Sequence, residues 1–528
     1  MRREWWLAGG LLVVVQAAVL AALFTPAPHP GGDNAGYLAL GHALATGAGY
    51  VELWAPGTPP HTKYPPAFPA LLAVMMWVGA STWGAFKTLS ALLVSMAGVL
   101  AFAWAGGRKG AVAGLGVALL TLISSGWLEA SRWILSEPLF LCAVLLTFWA
   151  ADRGGLKRGE DAPRTGWLVL AAAGAFLAIL TRSAGLPVIL ALVGILLLRR
   201  EWKWAGIVTA PALLLGGWWA LRSRTDADGA YQSEFWMVNP YDPELGTIGL
   251  MGLLGRVWTN TIHYGGTVIP GEWSTLVPVG IVLLLLAAAG WALRLERAGV
   301  AELFLPLYVG MILLWPEVWS GDRFVLPLYP LILLYAGEVV TRIPEVRIRW
   351  AALVVGILVL AVPAVPTAVE KVEVAGECRA IGAQDPFRCL GPGMMGFRDA
   401  AAWSGRNLPE DAVVFNRKPR IFTVLGGTVG RTYPFTRDPE HFLAEADAHG
   451  ARYLLLDQVD GISGAYLPAI LQGAPGAFCW IGQWGEVTDL LGILPPEARG
   501  GNEILSCPQQ VTGTEGGAEI PLLSRTRR

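Results

Sequence analysis

Asp33 and Lys63 stand at the two ends of a polar run, "DNAGYLALGHALATGAGYVELWAPGTPPHTK", set directly behind an apolar segment of membrane-spanning length. His61 lies two residues ahead of the lysine, and Tyr64 with a double proline follows it. Downstream, Glu129, Arg132 and Glu137 crowd "GWLEASRWILSEP", Arg182 opens the turn "RSAG", and Arg323 lies in "GDRF". All border apolar segments, where an ionisable group is costly unless hydrated or paired, so each is a site candidate. Carboxylates and cations of these types suit proton transfer and anion binding. No HxxxH or HExxH spacing points to a metal, so no metal ligand is assigned and no cofactor is required, although a divalent ion is not excluded.

The elements that must position these residues are membrane helices. The chain has 528 residues, of which 54% are hydrophobic and only 15% charged, and its mean hydropathy is +0.50. That is more apolar surface than a soluble fold of this size buries. The 24 tryptophans and 12 tyrosines suit interfacial belts. A net charge of −1 argues against a nucleic-acid partner. Trp5 to Phe24 follows Arg2 and Arg3 and reads as a retained span rather than a cleaved signal.

A helix needs about 20 apolar residues to cross a ~30 Å core. Eleven segments qualify, several of them short: 5–25, 86–105, 111–127, 134–151, 166–182, 185–198, 203–221, 275–293, 300–315, 323–341 and 350–367. Pro66 to Gly79 is apolar but short and opens with prolines, which suits an interfacial or re-entrant helix. With that piece not crossing and the N-terminus cytoplasmic, every basic connector falls on the cytoplasmic side: Arg108 and Lys109, 153–164, 199–203, Arg294 and Arg297, and 342–349. If it crossed, all would move outside, against the positive-inside rule.

This topology puts a first loop (26–85), a long loop (222–274) and everything beyond the last span outside. The expected domains are thus 1–368 in the membrane, an extracytoplasmic α/β domain at 369–508, and a loose tail at 509–528. In the outer part "FRDAAAWSGRNL" has helical spacing, "AVVFN" and "RYLLLD" are β-rich, and "DPEHFLAEADAHG" opens on an Asp cap. Cys142 sits in a span, whereas Cys378, Cys389, Cys479 and Cys507 all fall outside, an even number where disulfides persist. Three pairings are open; sequence proximity favours Cys378 with Cys389 and Cys479 with Cys507.

Most site candidates also have a plain explanation. In the segment after Asp33, Tyr37, Leu40, Gly41 and Leu44 share a face and Gly47 ends the run. Asp33 then reads equally as the N-cap of an amphipathic helix lying on the membrane surface. Lys63 reads as a lysine snorkelling to headgroups and His61 as an exposed loop histidine. Glu137 precedes Pro138 at a helix start that would stabilise any carboxylate, and Arg132 pairs with Glu129 at i, i+3. Arg182 and Arg323 are harder to set aside, because arginine is scarce at the outer edge; together they suggest a bound anion, and a guanidinium suits phosphate.

The order of Asp33 in the first outer loop, "GAGYV…KYPPAFPALLA", "SEPLF", "LTRSAGLPVILA" and "DRFVLPLYPLILLYAG" resembles the GT-C fold glycosyltransferases, the group of protein O-mannosyltransferases and lipid A aminoarabinose transferases. The likeness covers about 26–340. It implies a polytopic α-helical membrane enzyme of the cell (inner) membrane, with about eleven spans plus interfacial helices. Such an enzyme moves one sugar, with inversion, from a polyprenyl-phosphate donor to an envelope glycan, lipid or protein acceptor outside. It implies Asp33 as catalytic base and Lys63, Arg182 and Arg323 as the donor-phosphate cations; Glu137 matches the acid opening a later span, and its position there suits a catalytic role in orienting Asp33's partner groups or binding sugar hydroxyls. Tyr37, His61, Tyr64, Glu129 and Arg132 become substrate-binding candidates. Asn34 stands where the protein mannosyltransferases carry a second acid, which weakens a protein acceptor. A transporter or lipid flippase is the competing class; it would place polar, broken helices near the midplane, and here the charges gather at one edge.

Overall fold

The computed structural model describes residues 3–160, 163–223, 234–319 and 321–508; the expected tail at 509–528 lies outside the described residues. The chain is mostly helical, with one sheet near its C-terminal end. Every one of the eleven apolar segments folds as helix, among them Glu137–Arg153 and Trp202–Ser223. By length and composition three of the described helices can cross a membrane: Arg3–Leu23, Trp83–Lys109 and Val346–Ile381. Leu250–Glu272 and Val277–Ala292, bent by 103°, add a fourth if taken as one span. Six shorter apolar helices, among them Ala111–Leu122, Thr165–Thr181 and Val300–Leu313, run 10–17 residues.

Two compact units interleave along the chain, one comprising Met1–Phe24, Thr62–Ala67 and Lys87–Ala375, the other Thr25–His61, Phe68–Phe86 and Gly376–Arg528. In the first unit, small residues let helices meet closely. A Cβ on Gly174 would lie 2.6 Å from Thr147 Oγ1, where Thr165–Thr181 packs on Glu137–Arg153. One on Gly290 would lie 1.8 Å from the Tyr335 carbonyl, where Val277–Ala292 packs on Tyr329–Val340. This is the small-residue packing that helices use in lipid.

One end of this bundle is tied by buried ions. Glu302, at the start of Val300–Leu313, meets Arg108 at 2.5 Å and Arg294 at 3.3 Å, and Arg108 also pairs with Asp152. Lys109 joins Glu338 at 2.7 Å, and the Tyr335 hydroxyl donates to Glu302 at 3.1 Å. Because Asp152 and Glu137 lie at opposite ends of one helix, ~22 Å apart at 1.5 Å per residue, this network marks the end away from Glu137.

The region 222–274, expected as a loop, contains the helix Leu250–His263 followed by a π-helical turn, Tyr264–Val268, and Ile269–Glu272. The pattern is inside out. Leu250, Met251, Leu254, Trp258 and Ile262 form an exposed stripe, while Arg256 and Asn260 are buried. The two polar side chains donate to the carbonyls of Phe235, Met237, Leu313 and Trp315 at 2.8–2.9 Å.

In the second unit, Gly32–Ala45 is a helix, but not a surface one: Asn34 to Ala43 are all buried. Gly41 makes this possible, since a Cβ there would stand 3.0 Å from Leu72 Cβ and 3.1 Å from the Pro69 carbonyl. Its neighbour is the 11-residue helix Ala67–Trp77, too short to span, as expected. Trp77 Nε1 donates to the Ala45 carbonyl at 2.9 Å.

The sheet has six strands: β1 (Val413–Phe415), β2 (Val429–Arg431), β3 (Ala451–Leu456), β4 (Phe478–Trp484), β5 (Thr488–Ile493) and β6 (Leu505–Ser506), in the order β2-β1-β3-β5-β4-β6. β1 is parallel to β2 and β3, whereas β5 is antiparallel to both β3 and β4. The α/β expectation is thus met, with β1 and β3 in the two predicted runs. Asp438 caps Pro439–Ala448, accepting Glu440 N–H at 3.0 Å. Cys378 is bonded to Cys389 and Cys479 to Cys507.

Candidate active site

Glu137 is the first residue of its helix and 2% exposed. Arg182, just after Thr165–Thr181, places Nη1 2.6 Å from Glu137 Oε1 and 3.1 Å from the Ser136 hydroxyl. Arg323 Nε lies 3.7 Å from the same oxygen. The structure therefore brings three of the candidates together: one carboxylate at a helix N-terminus, where the peptide dipoles favour negative charge, and two guanidinium groups.

Lys63 is paired with Glu234, at 3.1 Å, and lies 5.3 Å over the Trp319 ring. Trp319 leads back to the arginines: its ring is 6.2 Å from Trp315, which is 6.2 Å from Phe324, which lies 5.5 Å under Arg182. Tyr308, buried, fixes this last step by donating to the Phe324 carbonyl at 2.8 Å. Lys63 and Arg182 thus border one aromatic cluster in the first unit, and Arg323 joins Arg182 at Glu137.

Glu129 and Arg132 do pair, at 3.2 Å, and Glu129 also binds Lys371 and Trp133 Nε1. Burial pushes the Glu129 carboxyl up, but the Lys371 hydrogen bond and the Arg132 charge outweigh it and hold it below its usual range. Tyr64 is buried.

Asp33 belongs to the second unit. The N-cap of its helix is Gly31, whose amide is held by the His29 ring at 2.7 Å, so the expectation that Asp33 is the N-cap does not hold. Asp33 stands in the first turn, and its Oδ1 lies 3.4 Å from Arg420 on the helix Pro419–Gly426. Arg420 in turn lies 5.2 Å over Trp54. Tyr37 packs edge-on against Phe68 at 5.1 Å. His61, expected to be exposed, is fully buried between Tyr50 and Trp54, with Nδ1 2.7 Å from Glu52. The reason is a hairpin-like bridge, Val51 to Pro60, that folds the histidine inward.

Sequence reading missed Glu234, Lys371 and Arg420, the partners of the candidates. Lys63 and Glu234 are 171 residues apart and Asp33 and Arg420 are 387 apart, so no local signal pairs them. Among the described residues no three His, Cys, Asp or Glu side chains form a metal-holding group.

No family model and no curated protein sequence matches this chain. Solved structures do, and they show the fold, the GT-C fold of membrane glycosyltransferases. ArnT from Cupriavidus metallidurans bound to undecaprenyl phosphate is similar with a TM-score of 0.57 and 13% identity, over 95% of this chain and 100% of that one. The Archaeoglobus fulgidus oligosaccharyltransferase tethered to an acceptor peptide with the NVT sequon gives 0.55 and 14%, over 92% and 74%. The same archaeon's AglB with an inhibitory peptide and a dolichol-phosphate gives 0.55 and 12%, over 92% and 74%. At such identities the likeness establishes the fold.

Proposed function

We propose that this chain is an integral-membrane glycosyltransferase that moves a single hexose or pentose from a polyprenyl-phosphate carrier to a glycan, lipid or protein acceptor on the extracytoplasmic side. The observation that supports the reading is the chain of rings Trp319, Trp315 and Phe324 with Lys63 over one end and Arg182 over the other, Arg323 sharing the Glu137 carboxylate with Arg182. Cations bordering an apolar wall suit the phosphate of a lipid carrier. Two of the similar structures contain undecaprenyl phosphate and dolichol-phosphate, which supports the carrier.

In the proposed reaction the acceptor's hydroxyl oxygen bonds to the anomeric carbon on the face opposite the phosphate, inverting it. The bond from that carbon to the phosphate oxygen breaks, and its electron pair stays on the phosphate. Lys63, Arg182 and Arg323 stabilise that growing charge, the kind of preorganised electrostatics that lowers barriers most. The acceptor's proton goes to Asp33, an assignment that rests on its place in the motif order. Glu137 orients the two arginines, and its ionic contact to both supports that role.

The chain is proposed to cross the inner membrane eleven times, with its N-terminus in the cytoplasm. The buried network of Arg108, Lys109, Asp152, Arg294 and Glu338 gathers the basic connectors at one end, which supports that orientation. Two disulfides in the outer part support an extracytoplasmic location. The test is mass spectrometry of surface glycans and lipids from a deletion strain. Loss of one sugar substituent, restored by the wild-type gene and not by one encoding Asp33→Ala, is expected; an unchanged glycome, or rescue by Asp33→Ala, favours a transporter.

A further inference from the structure

The helix Leu250–His263 turns its apolar stripe outward, as suits lipid, and its two polar side chains inward, Arg256 at 5% and Asn260 at 1% exposure. Irregular backbone beside lipid must find its hydrogen-bond partners in the protein itself. Arg256 and Asn260 supply donors to two such segments at once. Arg256 donates to the Phe235 and Met237 carbonyls at 2.8 and 2.9 Å and to the Leu314 carbonyl at 3.3 Å. Asn260 donates to the Leu313 and Trp315 carbonyls at 2.9 and 2.8 Å. Leu313 ends the helix Val300–Leu313. The last carbonyls of a helix lack partners within it, and its dipole favours a cation there.

Each of the two segments leads to Lys63. The first begins with Glu234, whose carboxylate accepts from the Lys63 ammonium at 3.1 Å. Next to it the Phe235 ring lies 5.6 Å under Arg256 and 6.5 Å from Trp315, which joins the two segments. Beyond Phe235 the chain is pinned back towards the helix start: Val238 N–H donates to the Gly246 carbonyl at 2.9 Å and Ile248 N–H to the Trp236 carbonyl at 2.8 Å. The second segment carries Trp315, 6.2 Å from the Trp319 ring, over which Lys63 lies at 5.3 Å. Lys63 therefore has two supports, an acid and a ring.

A plain helix cap would hold one chain end. Arg256 instead ties a helix C-terminus to the stretch behind Glu234, so a shift of either segment moves a support of Lys63. We infer that Arg256 and Asn260 are positioning residues for the Lys63 ammonium, acting through Glu234 and Trp315. Their effect on Lys63 stands apart from the transferase reading. The consequence for a lipid phosphate rests on that reading.

The experiment acetylates the full chain in nanodiscs with acetic anhydride and reads the rates at Lys63 and Lys109 by mass spectrometry. Lys109, paired with Glu338 at the far end of the bundle, is the reference; its side chain is 21% exposed against 25% for Lys63. Arg256→Met should raise the Lys63 rate about threefold to fivefold, the worth of one part-exposed ion pair, and leave the Lys109 rate unchanged. Arg256→Lys keeps the charge with fewer donors and should fall between, which keeps the test open should the methionine variant fail to fold. Affinity for undecaprenyl phosphate should weaken by a similar factor in Arg256→Met, and not at all when the same change is made in Lys63→Ala. An unchanged Lys63 rate, a rise at Lys63 and Lys109 together, or an equal loss of affinity in the Lys63→Ala background would overturn the inference. No binding of undecaprenyl phosphate by wild type, with the Lys63 rate still raised in Arg256→Met, would refute the carrier and leave the positioning role standing.

Discussion

Asp457→Asn should stabilise the C-terminal sheet, and by an amount that depends on pH. Burial pushes the Asp457 carboxyl from 3.8 up to about 6, with the nearby Asp460 charge adding to the effect against the pull of the Val459 amide. A group whose folded pKa is raised contributes most below its unfolded value and loses that contribution as pH rises through the folded one. At pH 7.5 wild type therefore carries a buried carboxylate that costs about 3 kcal/mol, from a shift of about 2 units at 1.36 kcal/mol each. Asparagine, of the same shape, carries none. Hydrogen exchange of the Ala451–Leu456 peptide in the full chain reads the difference: about 100-fold slower opening in the variant at pH 7.5, shrinking towards none near pH 4. Asp460, Asp447 and Asp385 are shifted downward, so wild type and variant must be compared at the same pH. Equal exchange at pH 7.5, or faster exchange in the variant, would refute the reasoning.

Arg182→Ala leaves Glu137 buried without its nearest cation and should cost ~3–5 kcal/mol; a thermal midpoint within a degree of wild type would show that Arg323 alone suffices. Glu137→Gln should lower the transfer rate through misplaced arginines, and a wild-type rate would remove Glu137 from the site. Arg420→Ala should lower the maximal transfer rate with little change in donor affinity, and Arg420→Lys should restore part of it; a loss of donor affinity alone would make Arg420 a ligand group instead. Arg108→Met removes the hub of the buried network at the far end, so it should reduce thermal stability by a few kcal/mol while leaving donor binding intact. Reduction of the two disulfides should destabilise the C-terminal sheet by ~2–4 kcal/mol each, measured by exchange of β4.

The helices were legible because each carries an apolar run. The run after Gly249 was not, because its stripe of Leu250, Leu254, Trp258 and Ile262 faces outward while Arg256 and Asn260 turn in, the reverse of a soluble helix. Gly32–Ala45 was legible as a helix but not as a buried one, since only its neighbour at Pro69 and Leu72 explains what Gly41 is for. β1 and β3 were readable as short β-branched or leucine runs; β4, "FCWIGQW", mixes a cysteine, a glycine and a glutamine, and only its pairing with β5 makes it a strand. For the site, residue types and edge positions singled out Asp33, Lys63, Glu137, Arg182 and Arg323. Their partners Glu234 and Arg420 were invisible, because a contact across 171 or 387 residues leaves no mark on local sequence.

Release of polyprenyl phosphate from a radiolabelled polyprenyl-phosphate-sugar, by the purified full chain supplied with envelope acceptor, tests the central claim most directly. The account predicts acceptor-dependent release by wild type and a fall of at least ~100-fold in Asp33→Ala, the scale of a lost general base, with donor binding retained. No release by wild type from any such donor, or full turnover in Asp33→Ala, would contradict it.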